Sequence, residues 1–226
     1  MRLNNMFQGL ISTIFIFSTI SFNQLAGAEG AKPVVLAEHS LSLSDRQSDK
    51  FVNGVFKDNI LLNLAYLDGK ALKGQVNWDE VRKPFDYELT LQKGETFAFH
   101  ETILPEYARK VVKTTNAHFN FSEGFKSDGY LIGDGVCHLA SLINWSAKDA
   151  GLYVNAPTNH DFASIPDVPR QYGVAVYSSG TVKNSADALQ NLYITNNKGE
   201  PVAIKFDYNG EAIKVSVSKK AQTLVL

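Results

Sequence analysis

The chain has 226 residues, 44% of them hydrophobic, and its 22 Lys and Arg nearly balance 23 Asp and Glu for a net charge of −1. Phosphate binding needs a concentrated basic face, so a nucleic-acid partner is excluded. With one cysteine, Cys137, no intramolecular disulfide can form, and the fold must be held by its core alone.

The amino terminus reads as an export signal. Arg2 gives a short positive start, Gly9 to Phe22 is uncharged and apolar or hydroxylic, and Ala26-Gly27-Ala28 supplies a small-x-small cleavage pattern. The apolar run is shorter than the roughly 20 residues of a membrane-spanning helix. Cleavage after Ala28 is expected. An uncleaved anchor is the alternative, which would leave the same domain outside the cytoplasm but near the membrane. Removing 28 of the 226 residues leaves enough chain for one domain with its own core.

Residues 29–50 are polar and without sustained periodicity, so a flexible linker is expected there, with His39 solvated. Asn59 to Leu67 is apolar before Asp68-Gly69, and Tyr87 to Leu91 alternates before Lys93-Gly94-Glu95; both read as strands closed by turns. Between them, Asn77 to Phe85 suits a short helix or irregular link that Pro84 ends. Pro105 to Lys113 has helical spacing with proline at the first position. A loop follows from Thr114 to Gly129, in which Phe119, Phe121 and Phe125 are expected to pack.

The clearest element is a helix from Cys137 to Ala150, stopped by Gly151 and approached through Gly133-Asp134-Gly135. Leu139, Leu142, Ile143 and Ala150 can share its buried stripe. The remainder reads as strands over Leu152–Ala156, Tyr172–Tyr177, Ala188–Thr195, Val202–Tyr208 and Ala212–Val217. Asn197-Lys198-Gly199 and Asn209-Gly210 are hairpin signals. The expected fold class is therefore α+β: one domain over residues 51–226, with an antiparallel β-meander packed on two main helices.

Cys137 is the residue with the most chemistry to offer. At the first turn of a helix, unpaired N–H groups and the helix dipole favour a thiolate, and the same amides could stabilise an oxyanion. Gly133 and Gly135 would let a carbonyl substrate approach the backbone. A thiol nucleophile requires a base and a group to orient that base. His160 is the leading base, with Asp161 or Asn159 beside it and Asp167 and Asp187 as other orienting groups. His138 points about 100° away around the helix from Cys137, which makes it a poor base but a candidate pocket residue. His100 and His118 could also line a pocket. In the competing reading Cys137 is a small buried hydrophobe. Cys137-His138 lacks zinc-ligand spacing, so neither a metal nor another cofactor is expected. Trp78 and Trp145 suit either a core or a sugar-stacking face.

These motifs resemble the VanW-like family of exported bacterial proteins, whose hallmark is a glycine triplet before Val-Cys-Gln and an apolar helix ending in Ala-Gly-Leu. Here the stretch is Gly133-Asp134-Gly135-Val136-Cys137-His138, closed by Ala150-Gly151-Leu152. Lys93-Gly94-Glu95-Thr96-Phe97-Ala98-Phe99 is similar to the family's Pro-Gly-Glu-x-Phe-Ser-Phe, and Gly129-Tyr130 to its Gly-Tyr. His160 falls where the family has a His-Ser pair, and Asn196 sits in a family-like strand end before Pro201. The similarity spans roughly Asn59 to Lys219. Asp134 replaces the middle glycine, His138 replaces the glutamine, and Tyr172-Gly173-Val174 stands for the family's Asp-Ala-Thr, which removes an orienting acid. The resemblance implies a role in the cell envelope, with peptidoglycan or wall precursors as the expected partner; separately, the chain is expected to be a monomer.

The combined expectation is an exported envelope protein acting on or near peptidoglycan by thiol-dependent amide or acyl transfer. Cys137, His160 and Asp161 would be catalytic, and Gly133, Asp134, Gly135, His138 and Tyr130 would bind substrate. The alternative is a non-catalytic binding or scaffold domain in which Cys137 packs.

Overall fold

The computed structural model describes residues 33–179 and 185–220. The export segment and its cleavage pattern lie outside the described residues. Among those described, no helix is long and apolar enough to cross a membrane.

Strand β1 (Val34–Ser42) occupies the middle of the stretch that composition assigns to a linker. It pairs antiparallel with β8 (Ala212–Lys219), with Glu38 opposite Ser216 and an irregularity between Val35 and Ala37. As an edge strand it buries little more than Leu41, so its pattern carries almost no apolar alternation. His39 is not a free solvated side chain. Its ring stacks on Trp145 at 3.6 Å, and its Nε2 is 2.7 Å from the Asp149 carboxylate.

Helix α1 (Lys50–Asp68) replaces the strand expected over Asn59–Leu67. The Asp49 carboxylate accepts from the Phe51 and Val52 N–H groups at its start, and Gly69 ends it in the left-handed region at φ 80°. Every residue from Asp58 to Leu67 is buried. A helix enclosed on all sides loses the 3.6-residue stripe, and a short apolar run then reads equally well as a strand.

A single turn, α2 (Trp78–Val81), is capped by Asn77 and leads past Pro84 into β2 (Phe85–Leu91). Strand β3 (Thr96–Ala98) follows, fully buried. The helix expected over Pro105–Lys113 is only a 3-10 turn at Pro105–Tyr107. The β-branched pair behind it enters β4 (Val111–Lys113), which lies parallel to β3. Phe119 and Phe125 pack in the core as expected, whereas Phe121 is exposed.

Helix α3 (Val136–Asp149) matches the expected second helix. After it come β5 (Tyr153–Asn155), α4 (Ser185–Leu189), β6 (Tyr193–Thr195) and β7 (Val202–Tyr208), which turns through Asn209-Gly210 into β8. One four-stranded sheet has the order β1-β8-β7-β2 and is antiparallel throughout; the other has the order β4-β3-β6-β5. Helix α3 packs on α1, on β1 and β8 of the first sheet, and on β5 of the second. The chain is thus α+β, with the antiparallel meander and two main helices that its pattern implies.

Asn196 ties the two sheets' turns together. Its side-chain amide donates to the Leu91 and Glu200 carbonyls, and its backbone N–H donates to Glu95. The Gly94-Glu95 turn and the Asn196 strand end, 100 residues apart in the chain, are therefore one joint.

Candidate active site and its cleft

The segment expected as a strand over Tyr172–Tyr177 leaves a 3-10 turn (Arg170–Tyr172) and is not a sheet strand; it makes a bridge between Asn159 and Val174 and backbone bonds from Ala175 to Thr158 and from Tyr177 to Gln190, and alternate residues of its main chain are also held by side chains of α3. Cys137, Ser141 and Asn144 stand at i, i+4 and i+7, on one face of the helix. The Asn144 amide donates to the Tyr172 carbonyl at 2.8 Å, the Val174 N–H donates to Ser141 Oγ at 2.9 Å, and the Val176 N–H donates to Cys137 Sγ at 3.5 Å. The thiol in turn reaches the Val176 carbonyl at 3.6 Å. Successive alternate residues of the segment thus dock on successive turns of the helix, and Cys137 is the first of three polar rungs.

This setting raises the cost of a thiolate. Although Cys137 as a residue is partly exposed, its sulfur is packed against the Val176 peptide, and burial pushes the thiol up to about 11, with the Asp134 carboxyl adding to the shift. Two of the helix-start amides expected to serve an oxyanion are engaged in turns. Val136 N–H donates to Gly133 and His138 N–H to Gly135.

His160 is buried, and its Nδ1 lies 3.2 Å from the Ala163 carbonyl, with burial depressing its pKa. The place expected for Asp161 is therefore taken by a backbone oxygen. Asp161 itself is exposed, and its carbonyl is bound by Arg170. The other acids considered as orienting groups are also committed elsewhere. Asp167 binds the buried Arg46 guanidinium at 2.5 Å, and Asp187 accepts from Ser179. Among the described residues, the hydrogen bonds of Cys137 and His160 go to different peptide groups and do not join the two side chains.

Cys137 and His160 nevertheless line one cleft of about 550 Å³, together with Gly133, Asp134, Gly135, His138 and Tyr130. The two glycines shape its floor. Gly135 has φ 97°, and a Cβ there would lie 2.8 Å from the Phe56 carbonyl oxygen; at Gly133, with φ 88°, a Cβ would lie 2.8 Å from Phe119 Cβ. Asn59 of α1 fixes the loop around them. Its amide donates to the carbonyls of Lys126 and Asp134, and its oxygen accepts from the Lys126 N–H.

Burial opposes charge on most of the cleft's titratable groups. His138 is 5% exposed, edge-on to His160 with ring centroids 6.3 Å apart, and burial, Arg46 and His160 together push its pKa down to about 3. Among the described residues its Nδ1 has no partner, nor has the buried Ser178 hydroxyl, which also lines the cleft. Asp134 accepts the Asp128 N–H at 3.0 Å, and burial raises its carboxyl above the usual range. At His118 burial opposes the charge as well, but hydrogen bonds to Glu123 and Glu101 raise its pKa.

Phe162, Tyr177 and Ser178 are cleft residues that the sequence did not single out. Ser141 and Asn144 were detectable, because polar residues four and seven positions after Cys137 fall on its own helix face. His100 is absent from the cleft; it is buried with its Nε2 on the Gln190 carbonyl. The tryptophans are occupied by protein. Trp145 stacks between His39 and Tyr172, and Trp78 carries Lys126 and Arg82 over its ring.

Compared with known families, residues 87–218 match the family model described as VanW like protein. The match takes in β2, the glycine turn, α3 and the whole cleft-forming segment from His160 to Ser178. Neither a curated protein nor a solved structure matches the chain.

Proposed function

The chain belongs to the VanW-like family, a cell-envelope-related group, and from that premise we propose that it is an exported, non-catalytic domain that binds peptidoglycan or its precursors in the cleft beside Cys137. The observation that carries this reading is the Val176 peptide clasped on the Cys137 sulfur, which gives the thiol a structural partner and leaves it protonated at neutral pH. A cleft of this size lies within the ordinary range of ligand sites, and its few polar groups converge among apolar and aromatic walls.

The test separates the thiol from the binding site. Purified protein should co-sediment with isolated sacculi, releasing no soluble wall fragments. Cys137→Ser, which retains a group able to donate and accept at Val176, should bind sacculi as the parent does. Release of wall fragments by the parent but not by Cys137→Ser would establish a thiol nucleophile and overturn the reading.

A further inference from the structure

The cleft's lining indicates which part of a wall polymer it receives. Among the described residues that form it there is no lysine or arginine, and its one strongly basic group, His118, is already held between Glu123 and Glu101. The nearest buried guanidinium, Arg46, is bound to Asp167 and to the Pro166 carbonyl. A ligand carboxylate entering the cleft would therefore lose its hydration without gaining a cation, and that loss is costly in a partly buried site.

Apart from the Asp134 carboxyl, which would itself repel a ligand carboxylate, the cleft offers neutral hydrogen bonding and aromatic surface. His138 Nδ1 and Ser178 Oγ are buried and have no partner among the described residues, a state that native proteins rarely leave without a ligand or water. At the mouth, Tyr130 is 92% exposed, Phe162 74% and Tyr177 49%. Exposed aromatic groups clustered at a cleft mark a ligand-binding face. The C–H faces of a pyranose ring can cover such rings while its hydroxyl and amide groups turn inward to neutral partners.

We infer that the cleft takes an uncharged, N-acetylated sugar segment of the wall glycan, seated on Tyr130 and Phe162 with His138 and Ser178 as its inner hydrogen-bond partners, and not the charged peptide stem. This inference rests on the wall-binding reading above. Free stem peptides carry carboxylates for which the lining has no counter-charge, whereas each inner group named here can meet a hydroxyl or an acetamido group.

The experiment is a calorimetric titration of the purified protein with chitotetraose, a neutral β-1,4-linked N-acetylglucosamine tetramer, and separately with a free pentapeptide stem. Sacculus sedimentation is run in parallel. Chitotetraose should bind and the peptide should not. Tyr130→Ala and Phe162→Ala should each weaken chitotetraose binding about tenfold while melting at the parent's temperature. His138→Phe keeps the ring, removes a buried unpaired nitrogen and so should keep its stability, but should also bind more weakly. Sacculus binding with the peptide bound and chitotetraose ignored would overturn the inference and keep the wall reading. Chitotetraose binding that survives all three substitutions would overturn the assigned seat. Loss of both sacculus and chitotetraose binding would overturn the two together.

Discussion

The Val176 N–H lies 3.5 Å from Cys137 Sγ, and the same sulfur lies 3.6 Å from the Val176 carbonyl, so a single thiol meets both main-chain polar groups of one residue. With Ser141 on Val174 and Asn144 on Tyr172, it anchors an extended segment along a helix instead of along a sheet. The cleft wall formed by Val176, Tyr177 and Ser178 is held by this ladder together with the backbone bonds of Ala175 to Thr158 and Tyr177 to Gln190.

The middle rung is buried most completely, since Val174 and Ser141 are both fully enclosed. Ser141→Ala leaves the Val174 N–H without its acceptor and should cost roughly 1–3 kcal/mol, the penalty for an unmet buried donor. Ser141→Thr, which keeps the hydroxyl, should recover most of it. Denaturant titration of both variants checks this.

Gly135→Ala combines a left-handed backbone with a Cβ only 2.8 Å from a main-chain oxygen of α1. The backbone strain alone is worth about 1–3 kcal/mol. Because the blocking atom belongs to the Phe56 peptide, no side-chain rotation relieves it. The variant should melt well below the parent, whereas alanine at Gly199, which has open space around it, should not.

His138 gives the fold a dependence on acid. Its pKa is held down to about 3 against an ordinary 6.5, so the unfolded chain takes up the proton first. Its contribution is fully present above pH 6.5 and is lost as pH falls from there toward 3; His160, also depressed, acts in the same direction. His138→Phe should flatten this acid limb in unfolding measurements. An unchanged limb would mean that His138 charges freely in the folded protein.

His118 has the opposite sign. Its pKa is raised, so its contribution is present below pH 6.5 and is lost as pH climbs through the higher folded value. Glu123→Gln should bring the imidazole's titration midpoint down, as read by NMR of the ring protons. The Glu123 carboxylate is 3% exposed and also accepts the His118 backbone N–H, so this change should weaken the loop as well.

The sequence made α3 and the β7–β8 hairpin legible because each carries a strong local signal: an apolar stripe closed by Gly151 in one, Asn209-Gly210 in the other. It misread α1 because ten successive buried residues erase the periodicity on which a helix is recognised. Strand β1 was invisible for the reverse reason, as an edge position demands little burial of it. The cleft's glycines and His138 were singled out from their place beside the helix start, and Tyr130 from the family resemblance alone. The orientation of Cys137 was not, since the partner that captures its sulfur lies 39 residues away in a segment whose own alternation suggests an ordinary strand. Asp161 fails as an orienting group for a local reason, because it follows His160 directly and ends up exposed.

The most direct test of a structural Cys137 is the rate at which iodoacetamide alkylates it in the native protein as a function of pH. A thiol pushed up to about 11 should react slowly at pH 7, keep accelerating with pH through 9, and react far faster at neutral pH once the protein is unfolded. Rapid native labelling that levels off near neutral pH would show a stabilised thiolate, and would contradict the account.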